Sequence, residues 1–319
     1  VATFSAKTKN ELARMIPANR CCRKAELAAL ILTDGDIRLD SKSDADLSLA
    51  TENAAVARKI IMLAKALFNL QSTILLQRNK RLKKKNQYVV NIGRQPGVIE
   101  ALTELGLPGE GAMSKRLLKP PRKNCCRRSY LRGIFLGAGS LNRPEGGDYH
   151  LEISLPDEDF CRNLRQLLVK FGLNPKVNYR KNRFVIYLKN SEEIIDLLNI
   201  TGAHAALLNF ENARVIKELR NKVNRLVNCE TANLEKTVNT GMRQLGNIKK
   251  IAQTIGLKSL PKGLREMAEV RLANPDASLK ELGYMLSPII GKSGVNHRLR
   301  RLEEIAQKTE EDESQMPQT

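Results

Sequence analysis

The sequence predicts an α+β protein in which two copies of one half-domain are followed by an all-α domain. Three observations lead there. CCRRSYLRGIFLGAGSL at Cys125 to Leu141 lies on CCRKAELAALILTDGDI at Cys21 to Ile37, with Cys126 on Cys22, Arg127 on Arg23, Leu131 on Leu27 and Gly139 on Gly35. The same offset continues without a gap through the strand-like and helix-like stretches that follow, which a chance likeness between two amphipathic helices would not do. Beyond Thr240 the alternating patterns stop and only short helical ones remain. A repeat at this distance is too long for a solenoid and is the size of a small structural half.

Each copy begins with an apolar helix ending in glycine. In the first copy Leu47 to Thr51 then reads as a strand, and Asn53 opens a helix with Val56, Ile60, Leu63, Ala64 and Leu67 on one face. In the second copy Leu151 to Leu155 is the strand, and Leu164, Leu167, Leu168 and Phe171 line the helix. Two extended runs follow in each, Thr73 to Gln77 with Tyr88 to Ile92, and Lys176 to Arg180 with Arg183 to Leu188. The predicted half is αββαββα, and residues 1–220 are assigned to the duplicated domain, in halves of 1–120 and 121–220.

The two hairpin tips differ. The second is a tight Arg180-Lys181-Asn182-Arg183, whereas the first, RNKRLKKKNQ, carries Arg78, Lys80, Arg81, Lys83, Lys84 and Lys85 with no acid. Like charges at this density repel one another until an anion meets them. A loop that grips phosphates is the preferred reading, beside that of a solvated hairpin tip. The loop has no aromatic residue, so contact with the backbone is expected rather than base stacking.

From Ala203 a helical pattern runs through Leu207, Phe210, Val215, Leu219, Val223 and Leu226 into NRLVNCETANLEKTVNT. Asparagine side chains compete with helix hydrogen bonds, so Asn221, Asn224, Asn228 and Asn233 point to the end of the helix. Residues 221–240 are read as an Asn-rich connector, with a polar surface for nucleic acid as the alternative.

Residues 241–308 read as short helices broken at Gly256, Pro261, Pro275 and Ser287 to Gly291. Ser278-Leu-Lys-Glu281 is a capping box and opens a helix that buries Leu279, Leu282 and Leu286. Ser293 is expected to cap the next helix, with Val295, Leu299, Leu302 and Ile305 on its apolar face. Lys292 and Ser293 stand at its start, and Asn296, His297, Arg300 and Arg301 lie opposite the apolar face. A helix-turn-helix needs such a pattern, with apolar residues to dock the second helix and polar ones to reach base edges and phosphates. Residues 309–319, TEEDESQMPQT, read as an acidic, disordered tail.

The net charge of +20 points to a polyanionic partner, because bound Lys and Arg release counterions from phosphate backbones. Most of the excess lies in the two copies. No apolar run reaches membrane-spanning length, and the start lacks a signal-peptide core, so a cytoplasmic, nucleoid-associated protein without membrane contact is expected. The six cysteines include no CxxC pair and read as reduced, mostly buried thiols. No metal and no cofactor are expected. A search for catalytic motifs finds none: His150, His204 and His297 are far apart, and no Walker, G-x-S-x-G or His-Glu-x-x-His pattern occurs. Gly137-Ala-Gly139 follows a helix, so it reads as helix termination rather than a phosphate loop.

The two repeat helices, LAALILTDG at Leu27 to Gly35 and LRGIFLGAG at Leu131 to Gly139, resemble the LAGLIDADG homing endonucleases. The resemblance implies that duplicated αββαββα halves pack through these helices, and Ala28, Ala29 and Gly133 are small enough to allow it. It also implies an acid near the end of each motif helix, the pair holding divalent metal at the scissile phosphates. Asp34 matches the first acid, but Ala138 stands at the second, so Asp36 or Asp148 would have to compensate. The expectation is a non-enzyme whose Asp34 is vestigial.

A closer resemblance, over essentially the whole chain, is to the WhiA family of sporulation and cell-division regulators. It is carried by YLRGIFLGAGSLNRPEGGDYHLEI at Tyr130 to Ile153, by NRLVNCETANLEKTVN at Asn224 to Asn239, and by ASLKELGYML with GVNHRLRRLEEIA. This resemblance implies a degenerate LAGLIDADG domain joined to a helix-turn-helix, and transcription regulation at promoters. Double-stranded DNA is the expected partner, with a protein partner of the repeat domain as a further expectation. The rival readings are an active metal-dependent endonuclease and an RNA- or ribosome-binding module.

Overall fold

A computed structural model describes residues 2–39, 45–78, 86–107 and 120–314, which divide into two units, Val1–Glu218 and Leu219–Thr319. The first unit opens on a helix that sequence reading misses, α1 (Phe4–Arg14). It has few apolar residues to set a period, and buries only Thr8, Leu12 and Ala13.

Two αββαββα halves follow, as expected. The first is α2 (Arg20–Asp34), β1 (Gly35–Leu39), β2 (Ala45–Thr51), α3 (Ala54–Phe68), β3 (Thr73–Arg78), β4 (Asn86–Asn91) and α4 (Val98–Glu104). The second is α5 (Asn124–Ala138), β5 (Gly139–Leu141), β6 (Leu151–Leu155), α6 (Glu158–Lys170), β7 (Lys176–Arg180), β8 (Arg183–Leu188) and α7 (Ser191–Thr201). The sheets are antiparallel, in the orders β1-β2-β4-β3 and β5-β6-β8-β7. Their registers match, since Gly35 pairs with Leu49 and Gly139 with Ile153. Ala45, Leu47 and Leu49 on β2, and Leu151, Ile153 and Leu155 on β6, are buried at a period of two, so one face of each sheet meets the helices. Asn53 caps α3, its side chain accepting from Ala55 and Val56 at 2.8 and 3.3 Å, and Asp157 caps α6 by accepting from Phe160 at 2.8 Å.

The halves meet along α2 and α5, where each helix meets its own counterpart. A Cβ on Gly133 would lie 2.5 Å from the Glu26 carbonyl oxygen and 2.7 Å from the Cβ of Ala29, the residue equivalent to Gly133 in the first copy. A Cβ on Gly137 would collide with the side chain of Thr33, again its counterpart. The backbones therefore approach too closely for a side chain at Gly133, and at Gly137 the Thr33 side chain fills the space that one would need. Gly133→Ala should cost about 1–3 kcal/mol, the usual range for overpacking, in urea denaturation of the full chain.

A charge lies buried in this seam. The Glu26 and Lys59 side chains are wholly inaccessible and form an ion pair, and Arg132 reaches Glu26 at 3.2 Å. Lys59 also donates to the carbonyls of Leu12 and Met15 at 2.8 and 2.7 Å, and Arg132 donates to that of Thr201 at 2.7 Å. Burial pushes the Glu26 carboxyl up and the Lys59 amine down, while their mutual attraction opposes both shifts. Glu26→Gln leaves two buried cations without their counter-charge, so a loss of about 3–5 kcal/mol is expected in the same assay.

α8 (His204–Thr254) corrects the expectation of a break. It continues through the Asn-rich segment, and Asn221, Asn224, Asn228 and Asn233 lie exposed within it. Each asparagine costs a helix a few tenths of a kcal/mol, which the intervening Leu, Arg, Lys and Glu residues tolerate.

In the second unit α9 (Lys262–Ala273), α10 (Leu279–Tyr284) and α11 (Lys292–Ser314) enclose a separate core. Ile248 and Ile251 from the end of α8 join Met267, Leu282, Val295, Leu299 and Leu302 there. Gly256, at φ +77°, ends α8 where expected. The acidic-tail reading is corrected in part, because α11 carries the backbone to Ser314. Among the described residues no helix is long and apolar enough to cross a membrane.

Candidate nucleic-acid interface

The last two helices form a helix-turn-helix. Ser278 and Glu281 make the predicted capping box, with the Ser278 hydroxyl accepting from the Glu281 N–H at 3.3 Å and the Glu281 carboxylate accepting from the Ser278 N–H at 2.8 Å. These bonds hold the Glu281 carboxyl below the usual carboxylate range. The turn closes over Gly283, where a Cβ would strike the Ile290 carbonyl and come within 3.3 Å of Val295. The Gly283 carbonyl accepts from the Ile290 N–H at 3.2 Å, and Glu266 on α9 accepts from the Ser287 N–H at 3.0 Å.

α11 starts at Lys292, two residues earlier than a Ser293 cap requires, and the Gly291 carbonyl accepts the Val295 N–H at 3.1 Å. Val295, Leu299 and Leu302 face the core. Lys292, Ser293, His297, Arg300 and Arg301 are exposed and Asn296 is half-buried. Spacings of three and four bring these residues onto one side of the helix. Arg301 also pairs with Glu304 at 2.6 Å. Arg298 turns inward and donates to the Gly263 carbonyl at 3.3 Å. Of the basic hairpin tip, Lys80, Arg81, Lys83, Lys84 and Lys85 lie outside the described residues, and the backbone of Arg78 closes β3.

The open sheet faces are a surface that sequence reading missed. On the second sheet, registers place Lys176, Asn178, Arg180 and Arg183 on the face away from the helices. Arg180 pairs with Glu152 at 2.6 Å, and Arg183 donates to the Ser154 hydroxyl at 2.8 Å. The corresponding face of the first sheet carries Asp36, Arg38, Asp46, Ser48 and Asn91. Alternation of Lys176, Asn178 and Arg180 was the available signal.

At the C-terminal ends of α2 and α5, a cleft of about 910 Å³ is lined by Lys9, Asp34, Glu52, Tyr88, Gly137 and Arg143 among others. Asp34 enters it from α2, and Ala138 stands at the equivalent place on α5. The Lys9 ammonium donates to the Gly137 carbonyl at 3.2 Å, so a cation of the protein itself sits beside the motif acid. Lys9 escaped sequence reading because α1 did. Neither alternative acid joins Asp34 here: Asp36 is exposed and paired with Arg38 at 2.8 Å, and Asp148 lines a different recess with Tyr149 and His150. Burial raises the Asp34 carboxyl from 3.8 to about 6, against the pull of Lys9 and Arg183. Burial likewise lowers the Lys9 amine, against Asp34 and Glu52.

Duplicated αββαββα halves joined through two close-packed helices, and carried on one chain with a helix-turn-helix, define a LAGLIDADG-like protein with an appended DNA-binding-type domain. Sequence families described as the WhiA N-terminal LAGLIDADG-like domain, the WhiA LAGLIDADG-like domain and the WhiA C-terminal HTH domain match residues 20–107, 127–220 and 223–306. The chain belongs to the WhiA family. Relatives named probable cell division protein WhiA include one from Heliobacterium modesticaldum, 53% identical over 310 residues, and one from Desulforamulus reducens, 54% identical over 312 residues, each match covering 96% of both chains. The crystal structure of full-length WhiA from Thermatoga maritima is similar at 28% identity and a TM-score of 0.60, covering 96% of this chain and 99% of that one.

A raised Asp34 pKa means that the folded state holds a proton the unfolded chain releases, so stability falls as pH rises from the ordinary carboxylate value to about 6. Asp34→Asn removes that loss. The variant should match the parent below pH ~4 and exceed it by up to about 3 kcal/mol at pH ~7, as read by urea unfolding at the two pH values.

Proposed function

We propose that this chain is a sequence-specific, double-stranded-DNA-binding transcription regulator of the sporulation and cell-division type, without nuclease activity. The observation that carries the reading is α11, which docks through Val295, Leu299 and Leu302 and presents Lys292, Ser293, Asn296, His297, Arg300 and Arg301 away from its core. Asn and Arg at such positions pair with adenine and guanine edges in the major groove, while Lys292 and Ser293 at the helix start suit phosphate. The names of the relatives support the process. The lack of an acid at Ala138, the counterpart of Asp34 on the second motif helix, with Lys9 alongside, supports the absence of cleavage, because a two-metal clamp of this kind takes a carboxylate from each motif helix.

In this reading residues 1–220 are the scaffold, 221–240 the connection and 241–308 the reader, acting at the nucleoid. The charged tip from Arg78 to Lys85 adds sequence-independent affinity. A second reading of the scaffold is favoured by the open face of the first sheet, where Asp36, Arg38 and Asp46 leave no excess of positive charge to meet a DNA backbone. That face suits a protein partner.

Arg300→Ala and Asn296→Ala should each weaken binding to the preferred site by about 1–3 kcal/mol and relax the base preference. Replacing Lys83, Lys84 and Lys85 by Gln should weaken all DNA alike and reduce the slope of log K against log salt by up to about 3. Gel-shift or anisotropy titrations at several salt concentrations read both effects. An unchanged preference in the first pair would remove α11 as the reader. Stronger competition by structured RNA than by duplex DNA would favour an RNA-binding module. Incubation with DNA and Mg²⁺ should leave the DNA intact, whereas specific cleavage abolished by Asp34→Ala would restore the endonuclease reading.

A further inference from the structure

At the opposite end of the α2–α5 seam from Asp34, the two Cys-Cys pairs meet. The Sγ atoms of Cys21, Cys22, Cys125 and Cys126 all lie within 4.8 Å of one another, with Cys125 and Cys126 at 3.9 Å. Cys21 and Cys22 are the second and third residues of α2, and Cys125 and Cys126 hold the same places on α5. The expectation of mostly buried thiols is corrected in part: Cys22, Cys126 and Cys161 are buried, while Cys21, Cys125 and Cys229 are exposed. No CxxC spacing announced a site because each copy supplies only half of the donor set.

We propose that these four cysteines form a closed tetrathiolate site for one Zn²⁺ ion, which staples the two halves at the head of their shared seam. Four thiolates at a Zn–S distance of about 2.3 Å form a tetrahedron with edges of about 3.8 Å. The observed cluster, with no pair of sulfurs beyond 4.8 Å, is within about 1 Å of that size. Sulfur donors alone select zinc over magnesium or calcium, which take oxygen. A mononuclear ion fits better than an iron–sulfur cluster, whose separate iron atoms spread their thiolates over a longer span.

The surroundings offset the negative charge that four thiolates would leave on the complex. Both helices present their N-terminal ends here, and neither N-cap, Asn19 or Lys123, makes a side-chain capping bond. Positive helix ends stabilise thiolate. Entry to each helix is held in the same way: Arg23 donates to the Pro17 carbonyl at 2.6 Å, and Arg127 to the Pro121 carbonyl at 3.0 Å. The two donor pairs are thus presented on matching, braced turns. Exposed Cys21 and Cys125 give the ion a route in.

The test is metal analysis of the full-length protein purified with reductant and without chelator. Mass spectrometry should find one zinc per chain, falling to background in Cys21→Ser/Cys125→Ser and retained in Cys161→Ser/Cys229→Ser. Metal-free parent protein titrated with Co²⁺ alone should develop the visible bands of tetrahedral cobalt thiolate, saturating at one equivalent. This measurement decides the matter even if the double serine variant fails to fold. Zinc-free protein that gives no cobalt spectrum would overturn the proposal, whether its thiols are free to a thiol reagent or joined as disulfides in a non-reducing peptide map. Zinc that persists in Cys21→Ser/Cys125→Ser would overturn it equally.

Discussion

The first unit depends on a charge placed where the backbones are closest. Glu26 lies on α2 inside the seam that Gly133 allows, and its carboxylate is matched by Lys59 from α3 and Arg132 from α5. The cations then reach the backbone at the end of α1 and at Thr201 in α7. One buried group therefore links five helices, three of them in different positions of the repeat. Such a triad is not a large source of net stability, since desolvation of three ions offsets most of their attraction. Its effect is on pairing: an arrangement of the halves that separated Glu26 from Arg132 would leave buried charge unmatched.

The seam also gives its two ends different chemistry. Both helices point the same ends together, so whatever one copy carries meets its counterpart. At the head, two identical Cys-Cys pairs converge into a set of four sulfurs. At the foot, Asp34 has no counterpart acid on α5, where the matching residue is Ala138, and Lys9 from α1 supplies a positive charge in the same cleft. The close helix approach does not depend on a pair of carboxylates at the foot, because it is set by small residues and the Glu26 triad.

Within the second unit the same logic operates on a smaller scale. Gly283 permits the tight turn between α10 and α11, and the Ser278–Glu281 capping box sets where α10 starts. Docking by Val295, Leu299 and Leu302 then decides which side of α11 is turned outward. The polar residues of that side are presented by packing, not by any preference of their own.

Much was legible in the residues themselves. The constant offset between Cys21 and Cys125 disclosed the duplication, period-two alternation located β2 and β6, and the capping box and apolar spacing located α10 and the inner face of α11. These signals are local or repeat in register, so a linear chain displays them. The continuity of α8 was not legible, because asparagine propensity is weak against the helix formers around it. α1 was missed for want of apolar period. Lys9 beside Asp34, Lys59 and Arg132 around Glu26, and the meeting of Cys21, Cys22, Cys125 and Cys126 all join residues far apart in sequence. The sequence by itself determined the duplicated halves, the helix-turn-helix and the alanine, Ala138, at the position that matches Asp34. Only the tertiary structure decided which charges and thiols face one another, because that depends on how closely two backbones pack rather than on the spacing along either one.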